Sequence, residues 1–464
     1  MLDKIEKIVN EYPTLEAYIF NDEKITYREL WNSSIKYSDY LKRQGNSPVI
    51  IYGNKECNMM ISILSCVMAN RTYVPIGLFT PLDRIKKIIN NTKSTLILSD
   101  YNLELDDIDI CNLNGLDKYS NNSIADNNNE YVYMIFTSGS TGDPKGVPIS
   151  KTNLNNFIEW ISSLKPLNSY KNINVLNQAN FSFDLSVADI YYSLCNGHTL
   201  YGLDLTKDYT NTYKVFKNID VAVMTPTFMK LCLLDESFNT NNYPKFKCVY
   251  FCGEQLEVKL AKKILDRFPN LNIINAYGPT EATSAVSAHN ITLDDLNKSI
   301  LPVGDIDKCA TNVSIEDNEI ILKGDSVFSG YLGNIEGGHY KEEDIDCYKT
   351  GDLGFIKDKM LYCKGRKDNQ IKYKGYRIEL SEIEYNINQI NGVDDCVVVA
   401  SYNDDHIVKN IKAFIIGKDI TISYIKEELL KSLPSYMIPT VIKIVDVLPV
   451  NQNVKIDRKA LSNI

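Results

Sequence analysis

The sequence predicts an α/β protein with a large N-terminal domain of helix-wrapped sheets and a small C-terminal domain of mixed helix and strand. Three observations predict it. A chain of 464 residues is too long for one compact core. From Tyr131 to Ala276 short apolar runs alternate with amphipathic stretches, the pattern of parallel strands joined by crossover helices. Beyond a strongly charged stretch, Lys364 to Lys374, a new apolar pattern begins, and the boundary is set at Asp368: residues 1–367 form one domain and 368–464 the other.

Each element has a local reason. Thr26-Tyr27-Arg28-Glu29 is a capping box that opens a helix running to about Gly45. Thr80-Pro81-Leu82-Asp83 supplies a cap and a first-turn proline, followed by Ile85, Ile88 and Ile89 on one face. Asn121 to Glu130, rich in Asn and Asp, reads as an exposed loop. Strands are expected at 131–136, 175–179, 199–203, 221–225, 248–252 and 272–276. A helix over 257–268 carries Val258, Ala261, Leu265 and Phe268 on one stripe. Strands at 396–400 and 411–416 belong to the small domain, and no solenoid repeat is present.

Composition excludes several roles. The formal charge of -9 disfavours binding that depends on neutralising nucleic-acid phosphates. The 30 tyrosines and 15 phenylalanines give a folded chain ample material to pack. The 11 cysteines are odd in number, scattered and without a C-x-x-C pair, so neither a disulfide framework nor a zinc site is indicated and a reducing cytoplasm is the simplest compartment. The N-terminus lacks an apolar signal core, and no uncharged apolar run reaches the about 20 residues of a membrane helix. Membrane insertion is not expected.

Five segments carry chemistry. Thr137-Ser138-Gly139-Ser140-Thr141-Gly142-Asp143-Pro144-Lys145 follows a strand end; its glycines permit close backbone approach, its hydroxyls and amides suit phosphate oxygens, and Lys145 adds a cation. It is not a P-loop, because Gly-Lys is not followed by Ser or Thr. A flexible surface loop is the competing reading. Asn275-Ala276-Tyr277-Gly278-Pro279-Thr280-Glu281 also follows a strand end, where α/β proteins bind ligands. Tyr277 can stack on a base, Thr280 can bond a phosphate and Glu281 offers a hard oxygen to Mg²⁺; a tight turn with a helix cap competes. Thr350-Gly351-Asp352 sets a carboxylate in a turn, able to accept from both ribose hydroxyls or to make an Asx-turn. Gly365-Arg366-Lys367-Asp368 through Glu379 reads alone as a solvated charged face, and Asn453-Val454-Lys455-Ile456-Asp457-Arg458-Lys459 as a basic tail.

In this order the five segments resemble the adenylate-forming superfamily of amino-acid adenylation domains, acyl-CoA synthetases and firefly luciferase. Ile25–Leu30, Tyr73–Pro75, Gly330–Leu332 and Leu433–Pro439 match further family motifs, so the likeness spans about residue 25 to 462. It implies an ATP- and Mg²⁺-dependent ligase. A carboxylate attacks the α-phosphate to give an acyl-AMP and pyrophosphate, and a thiol then takes the acyl group. By this resemblance Thr137 to Lys145 hold the β- and γ-phosphates, Thr280 and Glu281 serve the α-phosphate and Mg²⁺, and Tyr277 packs on adenine. Asp352, assisted by Arg366, holds the ribose. Asn275, Ala276 and Gly278 complete the nucleotide site. Lys455 matches the lysine bridging substrate carboxylate and α-phosphate, although Val454 replaces the usual glycine. Asp368 stands at the hinge about which the family's small domain is mobile.

The substrate side rests on Phe183-Asp184-Leu185-Ser186. In relatives that activate α-amino acids the matching aspartate pairs with the ammonium, whereas a helix N-cap is the structural alternative for Asp184. Phe181–Val187, Phe251-Cys252-Gly253-Glu254 and Tyr277–Thr283 resemble stand-alone D-alanine:carrier-protein ligases, in which a cysteine at the position of Cys252 lies beside the substrate Cα. Leu185, Ala188, Tyr250 and Ser284 complete this pocket, and the last three depart from that family's usual side chains. D-alanine is therefore the first expectation, with a larger or more polar amino acid, loaded onto a peptide-synthesis carrier, as the alternative. The chain ends five residues after Lys459, so a carrier protein presenting a phosphopantetheine thiol is expected in trans. Acyl-CoA or aryl-acid activation is disfavoured by Asp184, and a silent nucleotide-binding scaffold by Lys455, Glu281 and Asp352.

Overall fold

A computed structural model describes residues 1–105, 108–112, 129–139, 142–204, 209–333, 335–368, 370–403, 407–449 and 458–463. The chain divides into two compact units. The first comprises 1–78, 91–135 and 146–365; the second comprises 79–90, 136–145 and 366–464.

The first unit is built on three sheets. In the eight-stranded sheet, six inner strands run parallel in the order Asn272–Tyr277, Cys248–Phe251, Val221–Met224, Asn174–Asn177, Thr199–Gly202 and Glu16–Phe20. Antiparallel edge strands Ser287–Asn290 and Glu23–Thr26 close the two sides. The six-stranded sheet runs Asp109–Cys111, Leu96–Ser99, Val49–Gly53, Tyr73–Gly77, Tyr131–Thr137 and Lys145–Ser150. The eight-stranded sheet is parallel within its edge strands, as the alternation predicts; the parallel strands at 49–53, 73–77 and 96–99 of the six-stranded sheet lie before the stretch in which the alternation is read.

The third sheet, within 304–366, is antiparallel and was not anticipated. Its hairpins turn on Asp317-Asn318, Glu343-Asp344 and Asp358-Lys359, each a pair of residues with positive φ. That geometry matches the right-handed twist of the strands, but it is normally signalled by Asn-Gly or Asp-Gly. With no glycine in any of these pairs, the signal was weak.

The local helix signals hold well. Thr26 and Glu29 form the reciprocal capping box, and the helix Tyr27–Leu41 ends earlier than the expected Gly45. The helix Leu82–Thr92 buries Ile85 and Ile88; Val258–Arg267 buries Leu260, Ala261 and Ile264, so of the expected stripe Ala261 and the following Phe268 are buried while Val258 and Leu265 are half-buried. Residues 121–128 of the expected Asn-rich loop lie outside the described residues.

In the second unit the hairpin Gln370–Tyr373/Tyr376–Glu379 turns on Lys374 and Gly375, both with positive φ. The helix Leu380–Asn388 follows, then the strands Val393–Tyr402, Val408–Gly417 and Val441–Ile444. Ile378, Ile383, Val398, Ile415 and Leu429 centre its core. No described helix is long and apolar enough to cross a membrane.

Candidate active site

The strand Cys248–Phe251 sorts its side chains by alternation. Val249 and Phe251 enter one apolar cluster, while Cys248, Tyr250 and, just past the strand, Cys252 enter the other. Leu185, Ala188, Ala282 and Ala285 belong to that second cluster. Thus Tyr250 and Cys252 share a core region with the helix Leu185–Asn196 and with the loop that follows the strand Asn272–Tyr277.

Asp184 precedes that helix but does not cap it; no side-chain cap bond is made. Instead Oδ2 accepts the Thr280 hydroxyl at 2.7 Å. Ala188 lies one turn on, on the same helical face, and is fully buried. The Cys252 thiol donates to the carbonyl of Ser284 at 3.7 Å. Thr283 and Ser284 are consecutive residues with φ of 60° and 72°. Non-glycine residues in this region carry backbone strain that persists where the surroundings enforce it. Gly278 has a packing reason: a Cβ there would sit 2.4 Å from the Ala285 Cα.

Three hydroxyl-bearing groups here are buried without a hydrogen-bond partner: Tyr133, Tyr250 and Ser284. Such a group costs about 1–3 kcal/mol when left unsatisfied. Burial, then charges that include Asp184, raises the Tyr133 and Tyr250 phenols well above their ordinary values, so both remain protonated donors.

The acidic residues further along are held in order. Tyr277 ends the strand Asn272–Tyr277, and its hydroxyl donates to Asp352 Oδ2 at 2.8 Å. Burial and the Asp352 charge keep that phenol protonated. The Asp352 amide donates to Thr350 Oγ1 at 3.0 Å, fixing the turn that carries the carboxylate. Glu281 is 1 % exposed, and its Oε1 accepts the Tyr331 hydroxyl at 2.6 Å. In the sequence Tyr331 belongs to the Gly330–Leu332 motif, and no local pattern ties it to Glu281, 50 residues away. The Asn275 amide is engaged by the Pro302 carbonyl at 2.9 Å, a structural contact for a residue assigned to the nucleotide.

A buried lysine supports the Asp184 loop. Lys55 Nζ donates to the carbonyls of Asn177, Gln178 and Leu203 at 3.3, 2.9 and 2.9 Å. Burial lowers its pKa to about 7, with Asp189 and Asp204 acting in the opposite sense. Three carbonyl acceptors match the three donors of an ammonium group. Sequence reading missed Lys55, because a lone lysine before a helix carries no signal of burial.

In the second unit the glycine-rich loop meets an acid. The Gly139 amide donates to Glu382 Oε2 at 3.0 Å, and the other oxygen of Glu382 pairs with buried Arg84. Ser138 Oγ donates to the Arg377 carbonyl and accepts from the Glu379 amide, both at 3.0 Å. At Gly142, with φ of 83°, a Cβ would strike the Tyr385 ring. Lys87 pairs with Asp143 at 2.8 Å. The loop thus offers an amide donor to an anion, and the anion here is a carboxylate. Thr137 ends its strand half-buried, and Lys145 begins the next. Arg366 Nε donates to Asp368 Oδ1 at 3.0 Å. Ser140, Thr141 and Lys455, with Val454, lie outside the described residues.

The model of the AMP-binding enzyme family matches residues 5–332. The chain belongs to that family. This AMP-binding enzyme is 37% identical to the D-alanine–D-alanyl carrier protein ligase of Bacillus licheniformis, over 99% of this chain and 98% of that one. It is 36% identical to the protein of the same name from Bacillus cytotoxicus, with the same coverage. Among solved structures, the Vibrio cholerae adenylation domain AlmE in complex with glycyl-adenosine-5'-phosphate superimposes with a TM-score of 0.86 at 22% identity, covering 100% of this chain and 97% of that one. The likeness to AlmE is one of fold.

Proposed function

We propose that this enzyme activates an amino acid of alanine size, D-alanine by the names of its relatives, as the aminoacyl adenylate, and passes it to the phosphopantetheine thiol of a carrier protein. The observation that carries the reading is the Asp184 carboxylate. It is left out of helix capping, half-buried and bound to Thr280, and its charge acts on the buried Tyr133 and Tyr250 phenols. A carboxylate facing an apolar region is stabilised by an arriving cation, here the substrate ammonium.

In the first half-reaction a substrate carboxylate oxygen bonds to the α-phosphorus and pyrophosphate leaves. In the second a thiol sulfur bonds to the acyl carbon and AMP leaves. Such chemistry asks the protein for positioning and charge neutralisation. Asp352, oriented by Tyr277 and Thr350 and assisted by Arg366, accepts the ribose hydroxyls, and the Tyr277 ring packs on adenine. Thr280 donates to the α-phosphate. Lys455 bridges that phosphate and the substrate carboxylate. The loop from Thr137 to Lys145 takes the outer phosphates, whose oxygens replace Glu382 at the Gly139 amide.

Mg²⁺ fits Glu281. Glu281, whose buried carboxylate is a hard oxygen donor in the nucleotide loop, would hold the ion. When bound it neutralises phosphate charge. All 11 cysteines are free thiols, which supports a reducing cytoplasm as the working compartment. ATP–pyrophosphate exchange across D- and L-amino acids tests the proposal. Exchange with a small amino acid is expected, and its absence for every amino acid refutes the reading.

A further inference from the structure

Thr280 joins the two halves of the site through a single proton. Its buried hydroxyl donates to Asp184 Oδ2 at 2.7 Å, the length of a charge-assisted O–H···O⁻ bond. The backbone on both sides of this bond is fixed. The Val187 amide donates to the Asp184 carbonyl at 3.0 Å, and Lys55 clamps the carbonyls of Asn177 and Gln178 where the chain enters the Asp184 loop. Opposite, the Phe328 amide donates to the Glu281 carbonyl at 2.8 Å, and Thr283 Oγ1 donates to the Ser326 carbonyl at 2.8 Å. Rotation about the Cβ–Oγ bond of Thr280 redirects its proton without moving the chain. A hydroxyl has one proton to donate, so Thr280 cannot give it to Asp184 and to a phosphate at the same time.

We propose that Thr280 is a specificity-determining residue that couples the two substrates: Asp184 holds its proton until the substrate ammonium arrives, and the proton then turns to the α-phosphate. Before that, a phosphate approaching Thr280 meets the lone pairs of a hydroxyl turned away from it, with the anionic Asp184 behind. When the ammonium neutralises Asp184, the bond from Thr280 loses its charge assistance and the proton is released at lower cost. An acid without an amino group leaves Thr280 turned to Asp184. The nucleotide subsite thereby senses the ammonium, and by linkage the nucleotide tightens the amino acid by the same factor. The inference rests on the adenylation reading, which supplies the separate roles of Asp184 and Thr280, and adds the link between them.

The test is binding of α,β-methylene-ATP, which cannot release pyrophosphate, to the full chain with Mg²⁺, measured by equilibrium dialysis. Three ligands are added at saturation: D-alanine; D-alaninol, which has the ammonium and no carboxylate; and propionate, which has the carboxylate and no ammonium. D-alanine and D-alaninol should tighten the analogue at least about fivefold, and propionate should leave it within about twofold. In Thr280→Val the effect of D-alanine should shrink to within about twofold, and Thr280→Ser, which keeps the hydroxyl, should restore it. Undiminished tightening in Thr280→Val overturns the proposal, because charge neutralisation alone would then couple the subsites. Equal effects of D-alaninol and propionate on the wild type also overturn it, a comparison that needs no variant to fold. Pyrophosphate exchange with D-alanine but no tightening of the analogue overturns the coupling and leaves the adenylation reading standing. Neither exchange nor binding of the analogue removes both.

Discussion

Replacing Asp184 by Asn separates the two roles open to this residue. Asn keeps an oxygen that can accept the Thr280 hydroxyl, now met at 2.7 Å, so local geometry is preserved while the charge is lost. An ammonium about 3 Å from a partly buried carboxylate gains roughly 5 kcal/mol of Coulomb attraction at an effective dielectric of 20. Desolvation returns part of this, and truncation of such pairs costs about 2–5 kcal/mol. At about 1.4 kcal/mol per decade, Asp184→Asn should lower kcat/KM for the amino acid by roughly 30- to 1,000-fold or more. The assay is pyrophosphate exchange, with the matching acid lacking the amino group as control; its turnover should change little, so the ratio of the two substrates isolates the ammonium. Stability should stay within about 0.5 kcal/mol, because no cap bond exists to lose. If Asp184→Asn keeps the wild-type preference for the amino acid over its deaminated counterpart, the carboxylate does not pair with the ammonium and the reasoning fails.

Other perturbations have definite signs. Lys455→Ala should slow adenylate formation at least about 100-fold, the scale of one preorganised donor, while thiolation of supplied acyl-AMP survives better; equal losses in both steps would remove Lys455 from the bridging role. Lys55→Met takes the ammonium donors away from the carbonyls of Asn177, Gln178 and Leu203, and should cost about 1–3 kcal/mol in urea titration; no measurable loss would mean the clamp is dispensable. His198 is 1% exposed, and burial, then the charge of Lys171, lowers its pKa from 6.5 to about 4. Between those values the unfolded chain binds the extra proton, so stability should fall as the solution is acidified, by about 2 kcal/mol from pH 7 to pH 5. His198→Phe should flatten that part of the stability–pH curve, and an unchanged slope would refute the assignment.

The sequence alone determined what depends on near neighbours. The Thr26–Glu29 capping box acts across three residues, and the strands of the parallel sheets announce themselves as apolar runs. The order of the motifs was enough to find the family and to single out Asp184, Cys252, Glu281 and Asp352. Tertiary structure decided the pairings. Thr280 meets Asp184 from 96 positions away, Tyr331 meets Glu281 from 50, and Glu382 reaches Gly139 from 243. It also decided that Tyr250 and Ser284 bury hydroxyls without partners, which composition cannot reveal. The physical reason is range. Capping and periodicity are set by backbone geometry within a turn or two, whereas a buried hydrogen bond depends on which strands the topology brings together. Hairpins turning on Asp317-Asn318 and its counterparts fall between the two cases: their geometry is local, but without glycine only the folded chain exposes it.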